Sequence, residues 1–218
     1  MAKWFERNKS VLPLLLIVGL AVAALSAAAM PIKQSAVSAA TSFPRPPHKE
    51  VAKMARWVAH VTDWGTLATV DRESSPVGGV VSHSDGDVDL PTGRIYFYLT
   101  PMDELVQNAL VRPKVSYTLT EAQLPEGCKT VDPEDPTCAK VTFLGQLVQV
   151  VEPQEQAAAK AALVARHPVM ANWPARHNFM LLELQVAEVH LLDFYGGMAV
   201  MAGDEYYAAV LDTAAASA

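Results

Sequence analysis

Basic residues are scarce in most of this chain, and their scarcity excludes a class of partner. Residues 40–218 carry 13 lysine and arginine side chains against 22 aspartate and glutamate side chains, a net charge of −9. An acidic surface repels nucleic acid phosphates, and no basic stripe with interleaved aromatic residues is present. We therefore expect no direct contact with DNA or RNA.

Common catalytic motifs and regular repeats are also absent from the sequence. No G-x-S-x-G, H-E-x-x-H, Walker or G-x-G-x-x-G pattern occurs, so no catalytic residue is predicted from a motif. No period of 20–50 residues occurs, which excludes a repeat protein. The acidic run from Asp85 to Asp89 lacks the glutamate that closes an EF-hand loop, so a solvated loop is a better interpretation than a calcium site.

Only two cysteines occur, Cys128 and Cys138, in the stretch CKTVDPEDPTC. In an oxidising compartment this pair predicts one disulfide that closes a short, proline-rich loop, a constraint worth about 2–3 kcal/mol by chain entropy. A redox or metal-binding pair is the alternative. That alternative is disfavoured because the spacing is far wider than Cys-x-x-Cys and acidic neighbours oppose a thiolate.

The first 39 residues have the pattern of a targeting segment. Three basic residues precede an apolar run from Val11 to Met30, and small residues follow. This pattern is typical of a secretory signal peptide with a cleavage site near Ala29 or Ala39. The same run is long enough for a signal anchor that stays in the membrane. Both alternatives deliver the rest of the chain to a lumen or to the outside of the cell.

The remaining chain predicts a small mixed β-barrel with helices packed on its outside. A proline-rich linker at 40–50 leads into a domain at 51–211, and a disordered tail follows at 212–218. Six or seven mostly antiparallel strands and three helices are predicted, with NFMLLELQV and EVHLLDF as separate strands and SDGDVDLPTG as a polar loop. Gly78 and Gly79 suggest a bulge or a close backbone approach within a strand.

Two histidines, His167 and His177, flank Trp173 in the stretch ARHPVMANWPARHNF. Their spacing of ten residues matches no common zinc site. Pro168 pushes His167 out of the helical region and ends the preceding helix. Capping and turn packing around Trp173 is therefore favoured over a role as metal ligands or catalytic bases.

Taken in order, these features resemble those of the CREG family of secreted and endolysosomal proteins, from about Val51 to Tyr207. The residues that carry the resemblance are Asp63, Trp64, Gly65, His167, Pro168, Trp173, Pro174, His177, Asn178, Phe194, Tyr195, Gly196 and Gly197. The resemblance implies a mainly β fold, the split barrel of FMN-binding proteins related to pyridoxamine-phosphate oxidases, with about six antiparallel strands and helices outside. It also implies a homodimer, and it links the chain to growth control, differentiation and endolysosomal function.

The split barrel invites a flavin, but the sequence offers few groups to hold its phosphate, which arginine or lysine usually binds. The helix after the aromatic strand begins with carboxylates, and Arg94, Arg112 and Lys114 are the nearest candidate cations. We therefore expect no cofactor and no metal, and predict a non-catalytic homodimer that acts on an unknown protein partner. Membrane contact is expected only through an uncleaved N-terminal segment. The alternative is an FMN-dependent oxidoreductase of the pyridoxamine-phosphate oxidase type, with the Gly78–Gly79 strand lying against the flavin ring.

Overall fold

The structure, a computed structural model, describes residues 42–214. Within that range the chain forms eight strands and four α-helices. The strands are β1 (Trp64–Val70), β2 (Pro76–Ser82), β3 (Ser84–Gly86), β4 (Pro91–Leu99), β5 (Lys114–Thr120), β6 (Lys140–Gln149), β7 (Met180–Leu192) and β8 (Ala199–Ala202). The helices are α1 (Val51–Val61), α2 (Glu104–Val111), α3 (Pro153–Arg166) and α4 (Gly203–Ala208). None of the helices within 42–214 is long and apolar enough to cross a membrane.

All strands belong to one curled antiparallel sheet with the order β2-β1-β5-β6-β7-β4-β3, and β8 pairs with β7. The long strands β6 and β7 run through the middle of the sheet and share the longest ladder. This architecture confirms the predicted mainly β split barrel, and the strand count of eight exceeds the predicted six or seven.

One face of the sheet and the apolar side of α1 form the core. Because strand side chains alternate between faces, every second residue of β1 and β5 is buried, as Leu67 and Tyr117 illustrate, and the first half of β6 follows the same alternation with Phe143. Helix α1 adds Met54 and Val58, which have no exposed surface. The intervening strand residues point away from the core and leave the outer side of the sheet exposed.

The two strands predicted in NFMLLELQV and EVHLLDF form one continuous strand, β7, so the predicted break is wrong. Glu188 pairs with Leu144 and Val186 pairs with Gly145, which leaves Ala187 as the extra residue of a β-bulge. The bulge interrupts the alternation of buried and exposed side chains. In the sequence, such an interruption has the same pattern as a loop between two strands.

The predicted polar loop SDGDVDLPTG is also partly wrong. Ser84–Gly86 form strand β3, and Asp85 is completely buried, whereas Asp87 and Asp89 are exposed as a solvated loop requires. The bulge suggested at Gly78 and Gly79 does not occur, because β2 pairs with β1 in regular register along its whole length.

The segment that precedes the predicted domain contacts the barrel. The aromatic ring of Phe43 is buried, its carbonyl accepts a hydrogen bond from Trp57 Nε1 at 2.8 Å, and Arg45 forms an ion pair with Glu121 at 2.9 Å. Part of the predicted linker therefore packs on the domain. The leader at 1–39 and residues 215–218 of the predicted tail lie outside the described residues.

Cys128 and Cys138 form the predicted disulfide, with their Cα atoms 5.0 Å apart. It closes the exposed loop that precedes β6.

Candidate functional site

Arg94, the first candidate for a phosphate contact, is already paired within the fold. It lies on β4, and its guanidinium donates two hydrogen bonds of 2.7 Å to the carboxylate of Glu183 on β7. It also contacts the carboxylate of Glu155 near the start of α3. The hydrogen bonds with Glu183 raise the pKa of the guanidinium above its usual value. This cation is neutralised by two carboxylates before any ligand binds.

Arg112, the second candidate, holds a hairpin turn. Its guanidinium donates to the backbone carbonyls of Asp71 and Arg72 in the turn between β1 and β2. It also borders a cleft of about 240 Å³ whose lining includes Glu73 and Glu104 as well as Arg72. Carboxylates therefore share this cleft with the two arginines. The structure does not bring Arg94 and Arg112 together.

The start of α2 is capped by its own chain. Asp103 is the N-cap, and its carboxylate accepts a hydrogen bond of 2.9 Å from the backbone N–H of Leu105. Glu104 adds a second carboxylate in the first turn. A helix N-terminus binds phosphate through free N–H groups and positive potential, and both are reduced here. The residues present at the places predicted for an FMN phosphate therefore do not fit that group.

The two glycines of β2 have different surroundings because they lie on opposite faces. A Cβ atom on Gly79 would come within 2.6 Å of Leu105 Cδ1, so this glycine allows α2 to pack on the strand. A Cβ atom on Gly78 would meet only ordinary contact distances, the nearest being 3.4 Å to Thr66. Packing of α2, and not a flavin ring, accounts for Gly79.

The landmark residues around the two histidines separate in the structure. His167 caps α3, and its Nε2 donates a hydrogen bond of 2.9 Å to the carbonyl of His83. Trp173 lies in an aromatic cluster with Tyr98 and Phe179, with ring centroids 4.7–5.8 Å apart. His177 joins that cluster through its ring contact with Phe179, and its carbonyl accepts a hydrogen bond from Thr100. Pro168 begins a short 3₁₀ helix, and Asn178 adopts the left-handed conformation that ends another.

A buried charge cluster, formed by His60, His83, Asp85 and Arg166, was not predicted from the sequence. All four side chains are fully or almost fully buried. Arg166 Nη2 lies 2.8 Å from Asp85 Oδ1 and 2.8 Å from His60 Nδ1, and His60 Nδ1 lies 2.9 Å from Asp85 Oδ1. His83 Nδ1 accepts a hydrogen bond from the Tyr117 hydroxyl at 2.9 Å, and its Nε2 donates to the carbonyl of Ala59 at 2.9 Å.

The electrostatics of the cluster follow from burial and pairing. Burial alone would raise the pKa of Asp85, but the hydrogen bond with His60 and the charge of Arg166 outweigh it and lower that pKa. Burial lowers the pKa of His83 to about 3, so this histidine is neutral. The landmark Asp63 lies 3.8 Å from Arg166, and burial raises its pKa. The cluster ties α1, β3 and α3 together and exposes no reactive group.

One signal in the sequence could have indicated this cluster. The buried face of α3 consists of Ala159, Ala162, Leu163 and Arg166, which follow helical spacing. A charged residue on an apolar helix face requires a buried partner. The partners come from α1 and β3, and no local pattern identifies them.

The outer side of the sheet, called the open face here, carries few charges. Its middle is one cross-strand row made of Val80, Thr66, Thr118, Thr142, His190 and Val200. The next row contains Gly78, Ala68, Ser116, Leu144, Glu188 and Ala202. Only Glu188 and His190 can carry a charge among these twelve. Val80 is 68% exposed, Val200 59% and the landmark Trp64 44%.

The loop between β7 and β8 extends the apolar surface at one end. Gly196 and Gly197 both have positive φ, of 118° and 106°, which glycine adopts without strain. Beside them, Tyr195 is exposed, and the ring of Phe194 stacks on His48 at a centroid distance of 4.1 Å. The landmark Gly65 serves packing instead, because a Cβ atom there would lie 2.5 Å from the carbonyl of Thr118.

Comparison with known proteins identifies similar sequences and folds. The family model described as CREG, beta-barrel matches residues 46–208. Protein CREG1 of Homo sapiens is 37% identical over 170 residues, which cover 75% of this chain and 76% of that protein.

Solved structures show the same fold. A heme-binding protein from Mycobacterium smegmatis is similar with a TM-score of 0.61 and 26% identity, over 75% of this chain and 61% of that chain. A pyridoxinephosphate oxidase family protein from Clostridium acetobutylicum has a TM-score of 0.53 and 9% identity, over 73% of this chain and 99% of that chain, which shows the fold alone.

Proposed function

Because the chain belongs to the CREG family, we propose that it is a non-catalytic protein of the secretory pathway that acts as a homodimer through protein contacts. One observation carries this proposal: Arg94 and Arg112, two of the nearest cations for a flavin phosphate, are already bound to groups of the fold. The capped start of α2 supports the same conclusion.

The open face supports the homodimer. Five strands (β2, β1, β5, β6 and β7) about 4.8 Å apart and at least about seven residues long give roughly 24 Å by 24 Å, or about 600 Å² in projection, and the shorter β8 adds to one edge. This area approaches the ~800 Å² that each partner buries in a standard interface. Five of the six side chains of the central row are valine or threonine, so few long side chains project from it, and a second copy presents the same surface by two-fold symmetry. We assign the open face to this contact.

The disulfide supports delivery to the secretory pathway. Disulfides form and persist in a lumen or outside the cell, and they are rare in the cytosol. The Cys128–Cys138 bridge fits that environment. The leader sequence at 1–39 also supports this delivery. The proposed final location is extracellular or endolysosomal.

The first test is the absorbance spectrum of the protein purified from a secretory host, followed by titration with FMN. The proposal expects a colourless protein that takes up no stoichiometric FMN. One flavin per chain, lost in Arg94→Ala or Arg112→Ala, would overturn it and establish the oxidoreductase alternative. A Soret band would also overturn the proposal, because it would indicate bound heme, the ligand named for the Mycobacterium smegmatis protein.

The second test measures the molar mass by sedimentation equilibrium. The proposal expects twice the chain mass for the unaltered protein. Thr118→Arg places a charge in the middle of the open face and should convert the dimer to a monomer, because each copy would then bury an unpaired charge. Ala161→Arg, on the exposed surface of α3, is the matched control and should leave the dimer intact. A dimer that survives Thr118→Arg would remove the open face from the interface.

A further inference from the structure

The two rows of the open face contain a single ionisable pair, while Lys114 and Lys140 lie on the same side of the sheet at opposite ends of the β5–β6 ladder. Glu188 and His190 lie two residues apart on β7 and therefore point to the same side of the sheet. His190 Nε2 is 2.6 Å from Glu188 Oε1, and the side chains are 29% and 51% exposed, respectively. His190 belongs to the central row between Thr142 and Val200.

The neighbouring strands supply little charge to this pair. On β6 the nearest ionisable residue is Lys140, and its ammonium donates hydrogen bonds of 2.8 and 3.0 Å to the carbonyls of Pro133 and Asp135. The residues of β8, Ala199–Ala202, have no titratable side chain. Opposite His190 on β6 stands Thr142, which hydrogen-bonds to Thr118 at 2.9 Å. The charge of the pair is therefore set by protons on its own two members.

The net charge of the pair depends on whether the imidazole carries a proton. Histidine is the side chain whose charge ordinarily changes between pH 5 and pH 8. With a neutral imidazole, the Glu188 carboxylate gives the face one uncompensated negative charge. With an imidazolium, the pair is a closed ion pair without net charge. Burying an unpaired carboxylate against a second copy costs far more than burying a closed pair.

We propose that Glu188 and His190 form a proton-dependent lock that tightens the homodimer when the surroundings become acidic. The inference rests on the proposed dimer of the open face and adds its regulation. Formation of the dimer is coupled to proton uptake at His190, so the dimer is favoured in an acidic lumen and weakened near neutral pH.

The test is the dimer dissociation constant of the full chain, measured by sedimentation at pH 7.5 and pH 5.5. The unaltered protein should dimerise at least tenfold more tightly at pH 5.5. Glu188→Gln leaves His190 without a carboxylate partner, so it should dimerise tightly at pH 7.5 and no more tightly at pH 5.5. His190→Gln keeps the carboxylate unpaired and should dimerise weakly at both. His190→Lys supplies a permanent cation and should again be tight at both.

The protein as a whole is acidic, so general repulsion also decreases on acidification, and the variants separate that effect from the lock. An equal pH response in the unaltered protein and in all three variants would overturn the inference while leaving the dimer in place. A monomer at both pH values would overturn the proposed homodimer and this inference together. Unfolding curves of each variant show whether its fold is intact.

Discussion

The buried charge cluster and the open face differ in how they use charged residues. In the cluster, Arg166 Nη2 lies 2.8 Å from Asp85 Oδ1, and His60 Nδ1 lies 2.9 Å from the same oxygen in the interior. The open face borders solvent, where charges are tolerated at little cost, yet only two ionisable residues occur among the twelve of its two rows. The interior uses its charges to join elements of the fold, and the two rows carry few of them although solvent would tolerate more.

A landmark tripeptide connects the two regions. Asp63 precedes β1 and approaches Arg166 of the cluster, while the next residue, Trp64, points to the open face. Gly65 then lets β1 approach β5 closely. Three adjacent residues thus serve ion pairing, surface contact and strand packing.

Arg166→Met should produce the largest effect by breaking the cluster. It leaves Asp85 as a buried charge without its guanidinium, and we expect a loss of about 3–5 kcal/mol in the free energy of unfolding. Urea unfolding at pH 7 measures it. Lys53→Met breaks the exposed ion pairs with Asp212 and Glu50 and is the control, with a much smaller expected loss because solvent screens these pairs.

Equal losses for the buried and the exposed substitution would show that the cluster has no special role. If Arg166→Met does not fold, Asp85→Asn tests the same ion pair from its other member. This substitution keeps the size of the side chain and removes the negative charge that Arg166 contacts.

His83 should make the fold sensitive to acid. The unfolded chain protonates an ordinary histidine near pH 6.5, while burial lowers the pKa of folded His83 to about 3. Between these values the unfolded state binds more protons, so stability falls as the pH falls. The expected loss is about 2 kcal/mol between pH 7.5 and pH 5.0, measured by urea unfolding at each pH.

His83→Gln is the comparison for that measurement. It should be less stable at pH 7.5 but should lose about 2 kcal/mol less than the unaltered protein on acidification. Burial raises the pKa of Asp63 and Asp193 and lowers that of His167. These groups remain in both proteins, so the difference between the two pH profiles reports His83. Identical profiles would contradict the assignment.

The two glycines of β2 give the smallest effect and the sharpest contrast between the faces. Gly79→Ala pushes a methyl group against Leu105, and we expect a loss of about 1–2 kcal/mol. Gly78→Ala adds the same methyl group on the open face, and its effect should stay within about 0.5 kcal/mol. Thermal or urea unfolding of the two variants measures these losses. A larger loss for Gly78→Ala than for Gly79→Ala would contradict the packing of α2 against Gly79.

Local patterns predicted the elements that local physics controls. Helices α1 and α3, the strands with clear alternation and the disulfide were all predicted, because periodicity, capping and covalent chemistry act over short stretches of chain. The continuity of β7 was missed because Ala187 breaks the alternation. Strand β3 was missed because Asp85 is polar, and its burial depends on Arg166, which lies 81 residues later.

The candidate site was predicted only in part for the same reason. The sequence indicated Arg94 and Arg112 as candidate cations. In the folded chain, however, Arg94 is bound to Glu183 and Arg112 to the β1–β2 turn, and only strand pairing brings these groups together. Likewise, Glu188 and His190 are neighbours by alternation, while their position on a face with few charges follows from five further strands.

By itself, the sequence determined the acidic character, a mainly β chain and the disulfide, because these depend on composition and short-range periodicity, and its resemblance to the CREG family indicated the split barrel. The tertiary structure alone decided which charges are paired inside, which arginines are already occupied and which face of the sheet stays open. The physical reason is that pairing and burial join residues far apart in the chain, and their energies exist only once the strands are in register.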